Sequence, residues 1–283
     1  MASRTSPTER QRRLGHEVRK MRLTADVSAE AAARLLGVDR SRLSNIEQGG
    51  RAISEDRLRT LAQACGCQDQ AYVEALAAMA RPARRGWWER YRGSLPEGLL
   101  DIAELESSAV RMRTAHSVHI PGILQTSDHA LAVFRVVVPA LPEHEVALRL
   151  AHRVERQQVL DGPTSPEYMG VIHEAALRMQ FGGRAVARAQ LDRLLTVSES
   201  PHITLRVIPF EAGAFPGAGQ TVNYAEGIVP QLDTVQVDST HGPEFLYTQR
   251  QLAKYRSHLD WMDGIALPPE KSRDFIHDIA RHL

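Results

Sequence analysis

Two groups of residues in this chain have types and spacings that could do chemistry. The first lies in the stretch Ala29 to Gln48, A-E-A-A-A-R-L-L-G-V-D-R-S-R-L-S-N-I-E-Q. Arg40, Ser41, Arg42, Ser44 and Asn45 fall on one outward face of a short helix there, with two cations at its start. Guanidinium, hydroxyl and carboxamide groups are the ones that meet base edges and phosphates. The second group is looser. Trp87, Trp88 and Tyr91 put three aromatics in five residues, and with Arg153 and Glu174 they could line an effector site. Aromatics spaced i and i+4 on a helix also pack simply as core, so the trio has two readings.

The first group needs a scaffold, and the neighbouring residues supply one. Two short helices meeting at a steep angle leave no room for a large side chain, and Ala33 is small. The turn between them needs a residue that tolerates positive φ, and Gly37 provides it. Leu36, Val38, Leu43 and Ile46 fill the wedge. Asp39 stands where an N-cap starts the second helix. An ordinary amphipathic pair with solvated arginines would share some of these features; their joint spacing favours a helix-turn-helix.

On these residues the stretch resembles the lambda-repressor-like (XRE-type) helix-turn-helix family, over about residues 13 to 80. Glu47-Gln48-Gly49 matches the Glu-x-Gly pair of that family. The resemblance implies base reading by Arg40, Ser41 and Asn45, and phosphate contacts from Arg42, Ser44 and Arg51. Ser28 joins this DNA-binding set, although Ala29 follows it where the family commonly has a phosphate-binding Gln. The implied partner is double-stranded DNA at a pseudo-palindromic operator, bound by a homodimer.

Charge is distributed as such a head requires. Residues 1–92 carry 18 Lys+Arg against 11 Asp+Glu, while the remainder carries 17 against 23. A basic first third on an acidic remainder fits a DNA-binding head, or two parts that dock on each other. The composition, 43% hydrophobic and 24% charged, is that of a globular protein. No apolar run is long enough to span a bilayer, and the polar start M-A-S-R-T-S-P-T-E-R-Q-R-R lacks a secretory core. A cytoplasmic protein without membrane contact is expected. Cys65 and Cys67, one glycine apart, read as small packing residues at a helix end.

Catalytic patterns are missing. His173-Glu174 starts like a zinc-protease helix, but Leu177 stands where the second ligand belongs. The glycines at 213, 217 and 219 have no following helix to aim amides at a phosphate. His116 and His119 are the closest useful histidine pair. No enzyme, cofactor or metal is expected.

The chain divides, on this reading, into a disordered tail (1–9), a five-helix repressor-like DNA-binding head (10–80), a linker (81–86) and an effector- or partner-binding region (87–283). The basic helix 10–22 and the linker arginines either help hold DNA or are solvated. In the last region the pattern predicts a long helix from Pro96 to Arg113, a turn at Pro121-Gly122, and helices over 128–138 and from Pro142 to about Leu160. Strands follow near 168–173, 203–208, 222–225, 235–237 and 244–247, with helices over 186–199, 249–265 and 269–282. The expected class is α+β, with a small antiparallel sheet.

Strings in this region, among them W-W-E-R-Y, I-P-G-I-L-Q-T, R-V-E-R-Q-Q-V-L and L-P-P-E-K-S-R, resemble the C-terminal domain of actinobacterial XRE-type regulators of the WhiJ kind. That resemblance implies an antitoxin-like domain that receives a small partner protein encoded nearby, which would modulate DNA binding. A ligand pocket that senses a small molecule is the alternative.

Overall fold

The computed structural model describes residues 6–81, 86–217, 219–239 and 241–283. Most of the expected linker, and the start of the expected tail, lie outside these residues. The chain forms two compact units, Met1–Glu89 and Arg90–Leu283.

The first unit has five helices: α1 (Glu9–Thr24), α2 (Ala29–Leu35), α3 (Arg40–Glu47), α4 (Glu55–Ala64) and α5 (Gln70–Ala80). Each starts on a short polar side chain. Thr8, Ser28, Asp39, Ser54 and Asp69 all accept a bond from a backbone amide of the first turn, which satisfies a donor that the helix itself cannot. α1 therefore begins at Glu9, earlier than its apolar face suggests, because Thr8 and Gln11 form a reciprocal capping box. Leu14, Val18, Ala33, Leu43, Ile46, Leu58, Leu61 and Leu76 are buried together in this unit's core. Gly15 lets α1 cross the end of α3 backbone to backbone, since an added Cβ would stand 2.5 Å from the Ile46 carbonyl oxygen.

The second unit is α+β. It contains α6 (Glu97–Ser108), β1 (Arg111–His116), α7 (Ser127–Arg135), α8 (Glu143–Arg156), β2 (Glu167–His173), α9 (Glu174–Arg178), α10 (Arg184–Val197), β3 (Ile203–Ile208), β4 (Val222–Glu226), β5 (Thr234–Ser239), β6 (Gly242–Leu246), α11 (Gln249–Ile265) and α12 (Pro269–His282). One six-stranded sheet runs β3-β2-β1-β4-β5-β6. It is antiparallel, as expected, from β1 through β4 and β5 to β6, but β1, β2 and β3 pair in parallel. The sheet is thus mixed. Helical crossovers separate β1 from β2 and β2 from β3, and such connections return the chain in the same direction.

β1 replaces the end of the expected helix 96–113. α6 stops at Ser108, where the Ser107 and Ser108 hydroxyls bond back to the carbonyls of Glu104 and Leu105. The strand that follows, R-M-R-T-A-H, has Thr114 as its one β-branched residue, so neither propensity nor apolar content announces it.

The two faces of the sheet differ. On one, Ala115, Val222, Tyr224, Val235 and Val237 pack on α11. On the other, Met112, Tyr168, Ile172, Leu205 and Val207 pack with α10, α12 and the Ile120–Leu124 turn. Strand alternation puts a polar row on this second face: Thr114 is opposite Asn223, and Asn223 is opposite Gln236. No helix among the described residues is long and apolar enough to cross a membrane.

Candidate nucleic-acid interface and a cavity behind the sheet

In the first unit, α2, the turn and α3 are held from behind. Arg22 of α1 makes a two-pronged ion pair with Glu47 at the end of α3, Nε to Oε1 at 2.6 Å and Nη2 to Oε2 at 3.0 Å. It also donates to the Val27 carbonyl at 3.0 Å. Both partners are 9% exposed, so the pair is a buried bolt. It also removes the acidic group from the outer surface of α3. A second buried cluster sits beneath α1, where Glu17 takes Arg13 on one oxygen and the Tyr72 hydroxyl on the other. Burial and the Glu17 carboxylate push the Tyr72 hydroxyl well above the usual tyrosine range.

Gly37 adopts φ +62°, as its turn position requires. Asp39 Oδ1 accepts from the Arg42 amide at 2.6 Å and fixes the first turn of α3. Leu43 and Ile46 point into the core. Arg40, Ser41, Arg42 and Ser44 are exposed on the opposite side, with Asn45 half-buried beside them. Arg51 is exposed just past the helix, its amide bonded to the Asn45 carbonyl at 3.2 Å. Asn45 Nδ2 donates to the Ser41 carbonyl at 2.8 Å, which leaves its second N–H and its oxygen for other partners. Ser28 is exposed and caps α2, accepting from the Ala31 amide at 3.1 Å while its hydroxyl proton stays available.

Charge pairing sets this face apart from several other arginines of the unit. Arg34, Arg59 and Arg81 are each paired with a glutamate. Arg40, Arg42 and Arg51 have no carboxylate partner among the described residues. Exposed cations without internal partners are free to replace the counterions of a phosphate backbone. Sequence reasoning found this surface but missed Arg22, whose only signal was its place at the end of a basic helix. Cys65 and Cys67 are half-buried free thiols in this unit.

In the second unit a cavity of about 220 Å³ opens between the polar row of the sheet, α6, the 119–125 turn and α8. Its floor is a chain of side-chain bonds. Asn223 lies 3.3 Å from His116 Nε2 and donates to Gln236 at 2.5 Å, and Gln236 donates to Asp238 at 2.8 Å. Burial depresses the His116 pKa to about 4, so the ring is neutral. On the α8 side Arg153 donates from Nη1 to Gln125 at 2.7 Å and lies over the Phe134 ring, 4.2 Å from its centroid. Arg156 Nε is 3.1 Å from Glu106 Oε2, an ion pair that is not aligned as a hydrogen bond.

The string I-P-G-I-L-Q-T is the frame of this cavity. Gln125 donates to the Ile120 carbonyl at 2.8 Å while accepting from Arg153. Gln157 donates to the Gln125 carbonyl at 2.6 Å, and Gln190 ties down Leu124 and Thr126 from α10. Thr126 then caps α7.

Of the five residues suggested as an effector site, Arg153 lines the cavity, and Tyr91 and Glu174 are not part of its wall. Tyr91 is buried, bonded to Glu155 at 3.0 Å and packed edge-on against His152. Glu174 accepts from the Phe210 amide at 2.8 Å and pairs with Arg178. Trp87 and Trp88 belong to the first compact unit, with rings edge to face at 5.9 Å; Trp88 is buried and Trp87 half-buried. Sequence reasoning missed the polar row and Arg156, because a wall assembled from four strands and three helices has no local spacing to recognise.

Comparison with known families gives two matches. Residues 13–76 match a helix-turn-helix domain, which supports a DNA-binding regulator of the XRE-like type. Residues 99–278, well over half of the chain, match a family described as a domain of unknown function (DUF5753). No curated protein and no solved structure matches the chain.

Proposed function

We propose that this chain, which belongs to the DUF5753 family, is a sequence-specific DNA-binding transcription regulator that acts as a dimer in the cytoplasm. The observation that carries the proposal is the outer face of α3. It offers exposed Arg40, Ser41, Arg42 and Ser44; Glu47 is held by Arg22, and Asp39 is engaged in capping the helix. In this reading Arg40, Ser41 and Asn45 meet base edges. Arg42, Ser44, Arg51 and Ser28 meet phosphates. Two such heads at successive major grooves would favour a pseudo-palindromic operator.

The second unit would receive the signal rather than catalyse a reaction. His173 and Glu174, its nearest approach to a catalytic pair, are occupied in capping α9 and anchoring Phe210. The resemblance to WhiJ-type, antitoxin-like regulators supports a small partner protein as the signal. The cavity beside Arg153 supports a small molecule.

The experiment is to bind the full chain to operator duplex selected from a random pool, and then to random duplex, with and without Arg40→Ala. The substitution is expected to cost roughly 1–3 kcal/mol on the selected site and to relax base preference at one position. An equal loss on both duplexes would remove Arg40 from base reading. Co-purification with the product of the neighbouring gene tests the partner-protein arm.

A further inference from the structure

Arg153 has five N–H donors, and among the described residues a single one of them has a protein acceptor, Gln125. One face of its guanidinium is covered by Phe134. No carboxylate lies within ion-pair distance of it among the described residues. The two nearby acids are otherwise engaged: Glu106 holds Arg156, and Asp238 accepts from Gln236 and is exposed. The cationic corner is nevertheless built closely. Gly122 sits under both arginines, and an added Cβ would meet Arg156 Nη2 at 2.9 Å and Arg153 Cζ at 3.6 Å. Burial, and then the Arg156 charge, bring the Arg153 pKa down to about 9, which leaves it a cation at neutral pH. Arg153 is half-buried, and a cation withdrawn from water in this way is costly unless an anion completes it.

The remaining walls restrict what that anion is. Leu99, Ile102, Met112, Ile123 and Val133 give the cavity an apolar side. Its volume, about 220 Å³, is that of roughly seven waters in the liquid and lies below the ~300 Å³ at which drug-sized pockets begin. Glu106 pairs with Arg156, and Asp238, also in the lining, lies beyond ion-pair distance of Arg153, so among the described residues no carboxylate touches that guanidinium. A phosphate dianion would bring two negative charges towards Glu106 and Asp238, whereas a carboxylate brings one. Planar carboxylate oxygens also match the fork of a guanidinium.

We propose that the cavity binds a small organic monocarboxylate, its head on Arg153 and its short apolar body against Leu99, Ile102 and Val133. This rests on the reading of the second unit as the signal-receiving half of the regulator.

The test is calorimetric titration of the full chain with hexanoate and 3-phenylpropanoate, each against its uncharged primary amide. Both acids are expected to bind in the micromolar to millimolar range, at least about tenfold more tightly than their amides. Arg153→Met should lower acid affinity about tenfold or more without affecting the amides, and Arg153→Lys should restore part of it. Val133→Phe, which fills the apolar side and leaves Arg153 in place, should block the acids while the protein melts normally; it carries the test should Arg153→Met fail to fold. Equal affinity for acid and amide, or undiminished acid binding by both variants, would overturn the proposal. So would the absence of heat from either acid at millimolar concentration. No DNA is present in these titrations, so their failure leaves the DNA-binding reading standing. Loss of operator binding by Arg40→Ala likewise leaves the titrations unaffected.

Discussion

The two units differ in where they leave charge unmatched. In the first, the buried ions are matched. Arg22 is forked onto Glu47, and Glu17 takes both Arg13 and Tyr72. Arg40, Arg42 and Arg51, which have no carboxylate partner among the described residues, are on the surface. In the second, an unmatched guanidinium, Arg153, is set beside an internal cavity, and three histidines are kept neutral by burial. The contrast separates two kinds of binding. A head that meets a polyanion can fix its shape with internal pairs and leave its ligand-seeking charge in water. A body that encloses a small ligand must leave the matching group inside, incomplete until the ligand arrives.

The strongest attempt to break this comparison is Glu17→Ala. It leaves Arg13 buried without its partner and the Tyr72 hydroxyl without an acceptor, and is expected to cost roughly 3–5 kcal/mol. Denaturant unfolding of the full chain, followed in the helical signal, reads this. A loss below about 1 kcal/mol would mean that the head's internal pairing does not set its stability.

Acidification probes the body. The pKa values of His116, His129 and His152 are each lowered by burial to about 4, from an ordinary value of 6.5. The unfolded chain therefore binds more protons between these values, and stability falls as the pH drops from about 6.5 towards 4. For His116 alone the span corresponds to at most about 3 kcal/mol. Hydrogen exchange resolved by segment should show the body loosening over this range before the head. Equal loosening of both units would remove the contrast.

Arg40→Ala follows, at roughly 1–3 kcal/mol of operator affinity, with no effect on the melting of the protein. Smallest is Glu30→Ala, which breaks an ion pair whose two side chains are each 79% exposed. It should change stability by less than about 0.5 kcal/mol in a thermal melt. A larger change would show that surface pairs contribute to the head as buried ones do.

The head was legible in the sequence because its constraints are local. Ala33, Gly37, Asp39, Leu43 and Ile46 each meet a steric or capping demand within 20 residues, and the structure meets each in place. Arg22 was not legible, since its partner Glu47 is 25 residues away. The class of the body and most of its strands followed from alternation and turn residues. Its central strand β1 did not, because its face towards α11 carries Arg111 and Arg113 and its pocket face carries Thr114 and His116. The parallel pairing was implicit in the helices between β1, β2 and β3, yet strand patterns do not encode direction. The cavity was the least legible feature. Gly122, Arg153, Asn223 and Gln236 converge through register and crossover.

The central claim is that α3 reads duplex DNA, and in vitro selection of random duplexes by the full chain tests it most directly. The account predicts enrichment of one pseudo-palindromic sequence, with base preference relaxed at one position in each half-site for Arg40→Ala. A pool that stays random after selection, or an enriched sequence identical for Arg40→Ala and the native chain, would contradict it.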